Sequence, residues 1–368
     1  MKEFIKGADV SSLLEVEENG GKFYCGGKPG DALEILRDHG INLVRLRLWN
    51  DPYDENGNPY GAGTNGIERT IELFRRAKNC NMKLMLDFHY SDFWADPGKQ
   101  FLPKAWRGHG ANELENDVYE FTKSTLQRLK TEDLSPDYVA VGNEITNGLL
   151  WPEGKVPNYK NIARFVSAGV RAVREMLPSS MVVIHLDNGG NNALYREWFD
   201  NYISNGGEDF DMIGLSYYPF WHGTPEDLKN NLFDISSRYS KELIVVETSM
   251  GFTLEDYRSR EELDRIKSKG LVANEELAAK VDYPMTKQGQ AAFICDLAKI
   301  IRSVPNNKGL GFVWWEPTWI PAGSTGWAAD AGLRYIGEEG PGGNEWANQA
   351  LFDYRGNSLP ALDEIAKI

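Results

Sequence analysis

Sulfur and imidazole are scarce in this chain of 368 residues. Its three cysteines, Cys25, Cys80 and Cys295, lie far apart and form no CxxC pair. Neither a disulfide framework nor a zinc cluster is indicated, and packed or half-exposed thiols are expected. The five histidines are scattered without HxH or HExxH spacing, which weighs against a metal-dependent hydrolase. Basic charge is also short, with 40 Lys and Arg against 54 Asp and Glu and a net charge of −14. Nucleic-acid binders draw their affinity from clustered cations, so a neutral or cationic ligand fits better. No apolar run reaches transmembrane length, and the opening "MKEFIKGADVSS" lacks the apolar centre of a signal peptide. No membrane partner is expected, and the chain either stays in the cytoplasm or begins after a removed signal.

What is present is a repeating pattern. Eight short apolar runs, near residues 7–11, 42–49, 83–89, 138–144, 181–187, 212–218, 243–249 and 309–317, read as strands. Amphipathic stretches such as 29–40, 67–81, 111–132 and 161–177 read as the helices between them. The first of these ends on His39-Gly40, a cation followed by a residue tolerant of left-handed geometry, which is a helix stop. An α/β architecture follows. Eight parallel strands with crossover helices close most simply into a (β/α)8 TIM barrel. A doubly wound open sheet is disfavoured because no GxGxxG turn follows the first strand. No linker or second compositional regime interrupts 1–368, so one domain is expected. The length beyond a typical barrel of about 250 residues sits in loops: turn-rich 50–66, aromatic 90–110, a charged helical insertion at 250–285 and a long segment at 318–350.

Barrel strands are filled by branched apolar residues, so polar side chains at their C-terminal ends need a separate reason. Here almost every strand has one: Asp9; Arg45 and Arg47; Asp87 and His89; Asn143 and Glu144; His185 and Asp187; Tyr217 and Tyr218; Glu247; Trp315 and Glu316. The spacing of Arg45 and Arg47 puts both on one face of their strand, so one or both should point inward. Any one alone reads most simply as a hydrogen-bonded structural residue. Together they are hard to explain as core satisfaction, because a buried charge costs several kcal/mol unless paired. Glu144 and Glu247, on the fourth and seventh strands, form a plausible carboxylate pair across the barrel mouth, as glycoside hydrolysis requires. Phe93, Trp94, Trp151, Phe220, Trp221, Trp314, Trp315 and Trp319 follow strand ends. Aromatic faces pack on the C–H faces of sugars, so these suit a sugar ligand. Several of them could equally close the barrel top.

The motifs "GADVSS", "VRLRLWNDP", "DFHYSDFWADPGKQ", "VGNEITNGLLWP", "IHLDNG", "SYYPFWHGT", "VVETS" and "WWEP" together resemble glycoside hydrolase family 53, the endo-β-1,4-galactanases, over nearly the whole chain. The resemblance implies a (β/α)8 barrel and a retaining double displacement, with Glu144 as acid/base and Glu247 as nucleophile. It also implies a galactan substrate; a monomer without cofactor or metal is expected. Carried over residue by residue, Asn143 is similar to the asparagine that bonds the sugar 2-OH. Arg45 is similar to the arginine that supports the nucleophile, keeping it ionised by lowering its pKa. Tyr217 is expected to donate a hydrogen bond to the nucleophile, and Trp315 to floor the −1 sugar. Asp87, His89, Asp92, Trp94, His185 and Asp187 complete the expected supports and substrate contacts. The chain departs from relatives in "ETSMGFTLEDY" after the nucleophile, and 250–285 has no Asp-, His- and Asn-rich run, so no structural calcium is expected there. The competing readings are a mannanase or cellulase of the same clan, and a non-catalytic galactan-binding barrel.

Overall fold

A computed structural model describes residues 3–368. Eight parallel strands close into a barrel: β1 (Ile5–Asp9), β2 (Leu43–Leu48), β3 (Lys83–Phe88), β4 (Tyr138–Val141), β5 (Met181–Leu186), β6 (Met212–Ser216), β7 (Glu242–Thr248) and β8 (Gly309–Trp315). Each pairs with its neighbours in chain order, and β1 closes the ring against β8.

Alternation decides what each strand turns inward. Ile5, Leu43, Met85, Ala140, Val183, Met212, Ile244 and Val313 fill the barrel interior. The intervening residues, such as Val44, Leu46, Leu86, Ile184 and Leu215, face the surrounding helices. In β7 the alternation breaks. Pairing with β6 runs Leu215 to Val245 and then Ser216 to Glu247, a register shift of the bulge type, and pairing with β8 shifts nearby. Val246 keeps the inward phase of Ile244, and the extra residue turns Glu247 inward as well, to the barrel mouth.

The helices carry their own start signals. Asp31 accepts from Leu33 N and Glu34 N to cap the helix Ala32–Asp38. Thr224 and Asp227 form a reciprocal capping box with Pro225 in the first turn of the helix Pro225–Arg238. The helix expected over 29–40 is therefore shorter. Its first residues belong to a hairpin, Phe23–Cys25 with Lys28–Gly30, turned by Gly26 and Gly27 at φ 57° and 76°, a conformation that favours glycine. The insertion at 250–285 is less helical than its charge pattern suggests. It holds only Arg260–Ile266 and Glu275–Ala278, the first stopped by Lys267 in a left-handed turn.

Candidate active site

The inward alternation continues past the apolar layers into a layer of charge. Arg45 is fully buried at its centre. Its Nη1 donates to Asp9 Oδ2 at 2.6 Å, and its Nη2 contacts Asp87 Oδ2 at 2.8 Å, Asn143 Oδ1 at 2.9 Å and Glu247 Oε1 at 2.8 Å. Arg47 lies one pleat further out. It reaches Glu316 Oε1 at 2.5 Å and Ala62 O at 2.9 Å, with its guanidinium 4.5 Å from the Trp94 ring centroid. Two guanidinium groups thus face four buried carboxylates: Asp9, Asp87, Glu247 and Glu316. Charge cannot balance with every acid ionised, and the shifts divide accordingly. Burial opposes ionisation of Asp87, but Arg45 and His89 outweigh it and hold the carboxyl down at about 2. Burial pushes Glu316 and Glu247 each up to about 7, against the pull of Arg47 and Arg45 respectively. Arg45 does lower the Glu247 pKa, yet the net shift is upward. The expected lowering is overturned by burial and by the neighbouring Asp87 and Asp9 charges.

Above this layer opens a cleft of about 430 Å³. Glu144, Glu247, Asn143, His89, Arg47, Tyr218, Trp94 and Trp315 line it, with Trp319, Trp327 and Trp346 from the segment after β8. Glu144 stands where β4 breaks. Gly142 at φ 89° and Glu144 at φ 47° turn the chain sharply, and a Cβ on Gly142 would come within 2.7 Å of Ile145. Burial raises the Glu144 carboxyl well above the ordinary range, and Glu247 and Asp187 raise it further. The Ser216 hydroxyl, donating to Oε1 at 2.6 Å, works against that. Glu247 has Arg45 on one oxygen and the Tyr218 hydroxyl, at 3.0 Å, on the other. The two carboxyls are therefore unequal: the first proton belongs on Glu144, and Glu247 is the one equipped to carry charge.

Several expected contacts sit elsewhere. Tyr217 does not reach Glu247. Its hydroxyl donates to Gly223 O at 3.1 Å and its ring packs outside the barrel, while Tyr218, in phase with Met212, Gly214 and Ser216, holds the carboxylate. Asp92 is buried and does not line the cleft. It ties loops together, accepting from Asp51 N, Lys104 N and Tyr335 Oη. Asp187 lies behind Glu144, accepting from Thr146 Oγ1 at 2.5 Å and Asn188 Nδ2 at 2.6 Å, so it braces the turn after the acid. Arg45, Asp87 and His185 are buried below the cleft surface and act on the groups that line it. His89 reaches the cleft, with Nε2 3.2 Å from Asp87 Oδ2 and Nδ1 accepting from Trp49 Nε1 at 3.1 Å. Asn143 also reaches it, its Nδ2 donating to Ala95 O at 2.8 Å.

Among the aromatics, Trp94 and Trp315 form part of the wall, with ring centroids 6.0 Å apart. Phe93 and Trp314 are buried core, and Trp151 is turned aside, its Nε1 donating to Asn147 O. Trp221 is 42% exposed and continues the aromatic surface beyond Trp346. Ser216, Tyr218 and Trp346 join the site beyond the supports and substrate contacts expected from the sequence. The phase of β6 was the available signal for the first two, and none was available for Trp346, which arrives by a long loop.

The sequence matches the model of Glycosyl hydrolase family 53 over residues 5–365. It is 37% identical to the endo-beta-1,4-galactanase of Bacillus subtilis, covering 98% of this chain and 85% of that protein. It is 36% identical to the arabinogalactan endo-beta-1,4-galactanase of Humicola insolens, over 86% and 90% of the two chains. The fold superposes on the Ignisphaera aggregans GH53 catalytic domain with a TM-score of 0.90 and 39% identity, covering 99% of this chain and 95% of that one.

Proposed function

Because this chain belongs to glycosyl hydrolase family 53, we propose that it is an endo-acting β-1,4-galactanase that cuts galactan chains with retention of configuration, through one catalytic domain spanning the chain. The relatives named for galactan and arabinogalactan hydrolysis support the substrate. The observation that carries the chemistry is the unequal carboxyl pair, Glu144 and Glu247, in one aromatic-walled cleft.

In this reading Glu247, held by Arg45 and Tyr218, attacks the anomeric carbon while protonated Glu144 gives its proton to the departing glycosidic oxygen. The resulting galactosyl ester is then opened by water, whose proton Glu144 takes as the water oxygen displaces Glu247. As Glu247 loses its charge in forming the ester, the repulsion that kept Glu144 protonated falls, and Glu144 becomes the base that the second step needs. Asn143 is positioned by Arg45 and Ala95 to use its remaining amide hydrogen on the sugar 2-OH. Trp315 supplies an apolar face for the same sugar ring.

Product sizing on linear galactan, mannan and carboxymethylcellulose tests the substrate. Internal cleavage of galactan is expected, and cleavage of mannan or cellulose with galactan intact would replace this reading by a same-clan glycanase. Glu144→Gln and Glu247→Gln should each lower turnover at least about a hundredfold while keeping the wild-type melting profile. A 2-deoxy-2-fluoro galactosyl donor should leave its mass on Glu247 alone. Near-normal turnover in either variant would refute the assigned roles, and tight galactan binding without turnover in the wild type would favour a binding barrel.

A further inference from the structure

Glu144 makes a hydrogen-bonded loop that begins and ends on itself. Its left-handed backbone, φ 47° and ψ 49°, aims its own N–H at His185 Nδ1, 3.4 Å away. A ring nitrogen that accepts this bond carries no proton, so in the neutral ring the hydrogen is on Nε2. Nε2 lies 2.8 Å from Ser216 Oγ, and that hydroxyl is then free to donate onward. It does so to Glu144 Oε1 at 2.6 Å. His185 and Ser216 are completely buried, so water cannot reverse the direction of the chain. Among the described residues no donor reaches Oε2, and Glu144 lines the cleft.

From this geometry we propose that Ser216, oriented by His185, is a positioning residue that dictates which oxygen of Glu144 carries the acid proton. Oε1 is occupied as an acceptor, so the proton sits on Oε2. When the glycosidic C–O bond breaks, that proton moves to the leaving oxygen, and the charge left on Glu144 falls partly on Oε1, where the Ser216 hydroxyl is already aligned to meet it. In the second step Oε2 takes a proton from the attacking water and the same arrangement is restored. The inference rests on Glu144 being the acid/base. The low His185 pKa, set mainly by burial and then by Arg45, agrees with a ring that stays neutral.

The tautomer can be read directly in the wild-type protein by nitrogen NMR of labelled histidine. His185 should be neutral and protonated at Nε2 from pH 5 to pH 8; an Nδ1–H tautomer or an imidazolium in that range would overturn the proposal. Kinetically, Ser216→Ala should lower kcat/KM on galactan about 10- to 100-fold. On a 2,4-dinitrophenyl β-1,4-galactobioside, whose leaving group needs no acid, the loss should be within about threefold. The alkaline limb of the pH profile should move up, because a donor to the carboxylate is gone. Ser216→Thr should restore much of the galactan activity. Equal losses on both substrates with an unmoved alkaline limb would make Ser216 a packing residue only, leaving the Glu144 assignment standing. Glu144→Ala is the separate control. If it fails equally on both substrates and azide does not restore turnover of the dinitrophenyl substrate, the acid/base reading falls and takes this inference with it.

Discussion

At the scale of single residues, two carboxyls of the same chemistry are set apart by what touches them. Glu247 meets a guanidinium and a phenol, whereas Glu144 meets one hydroxyl and feels the like charges of Glu247, Asp187 and Asp96. In the proposed roles the nucleophile Glu247 must be ionised, so activity should fall as pH drops through its pKa, near 7. The acid must be protonated, so activity should fall again as pH rises through the Glu144 pKa. A bell-shaped kcat/KM profile is expected, whose limbs belong to the coupled pair. Tyr218→Phe removes a donor that favours the charged form of Glu247. Its acid limb should therefore move to higher pH and its alkaline limb much less, as a pH–rate series on galactan would record. An acid limb in the wild-type place would mean that this hydroxyl does not tune the nucleophile.

At the scale of elements, the site depends on interruptions of regular structure. The eight strands were legible from their apolar runs, as were the polar residues collected at their ends. Which of those residues face inward was legible only where strict alternation holds, as in β2 with Arg45 and Arg47. In β7 a bulge reverses the phase just before Glu247, and no count of twos along the sequence would predict it. The choice between Tyr217 and Tyr218 failed on a related point. Their position beyond β6 follows the phase set by Met212 and Gly214, which turns Tyr218 inward and Tyr217 outward. The Gly26-Gly27 pair is a hairpin signal masked by the stronger helix pattern that follows it. At β4 the interruption is the turn at Gly142. Gly142→Ala must hold a side chain at φ 89° and within 2.7 Å of Ile145. It should cost about 1–3 kcal/mol in denaturant unfolding and lower kcat by displacing Glu144. Unchanged stability together with unchanged turnover would mean the turn accommodates a side chain freely.

At the scale of the molecule, the cleft wall is carried by long loops that fold against one another. Val272 N donates to Glu345 O at 2.9 Å, and Asn348 Nδ2 reaches both Thr253 O and Ala273 O at 2.8 Å. These ties join the segment after β7 to the one after β8 and hold Val272, Glu345 and Trp346 along the cleft. Such long-range partners are invisible to local patterns, so nothing in the sequence around Trp346 marks it as part of the cleft. Asn348→Ala leaves buried carbonyls without donors and should cost about 2 kcal/mol. It should raise KM for galactan more than it lowers kcat, and speed proteolytic nicking within 250–285. A normal KM with unaltered cleavage would show the wall to be held by other contacts.

The surplus of carboxylates over guanidiniums at the barrel centre has a pharmacological consequence. A site with more acid than base favours any ligand that brings a positive charge, whether the brief oxocarbenium character of the reacting sugar or the permanent charge of a protonated galactose-like iminosugar. Such an amine should bind more tightly as pH rises toward 7 and Glu247 ionises, and it should release protons to the buffer on binding. An uncharged lactam of the same shape should show neither effect in titration calorimetry across buffers of different ionisation enthalpy. Inhibitor selectivity for this protein would then be governed by charge state as much as by shape.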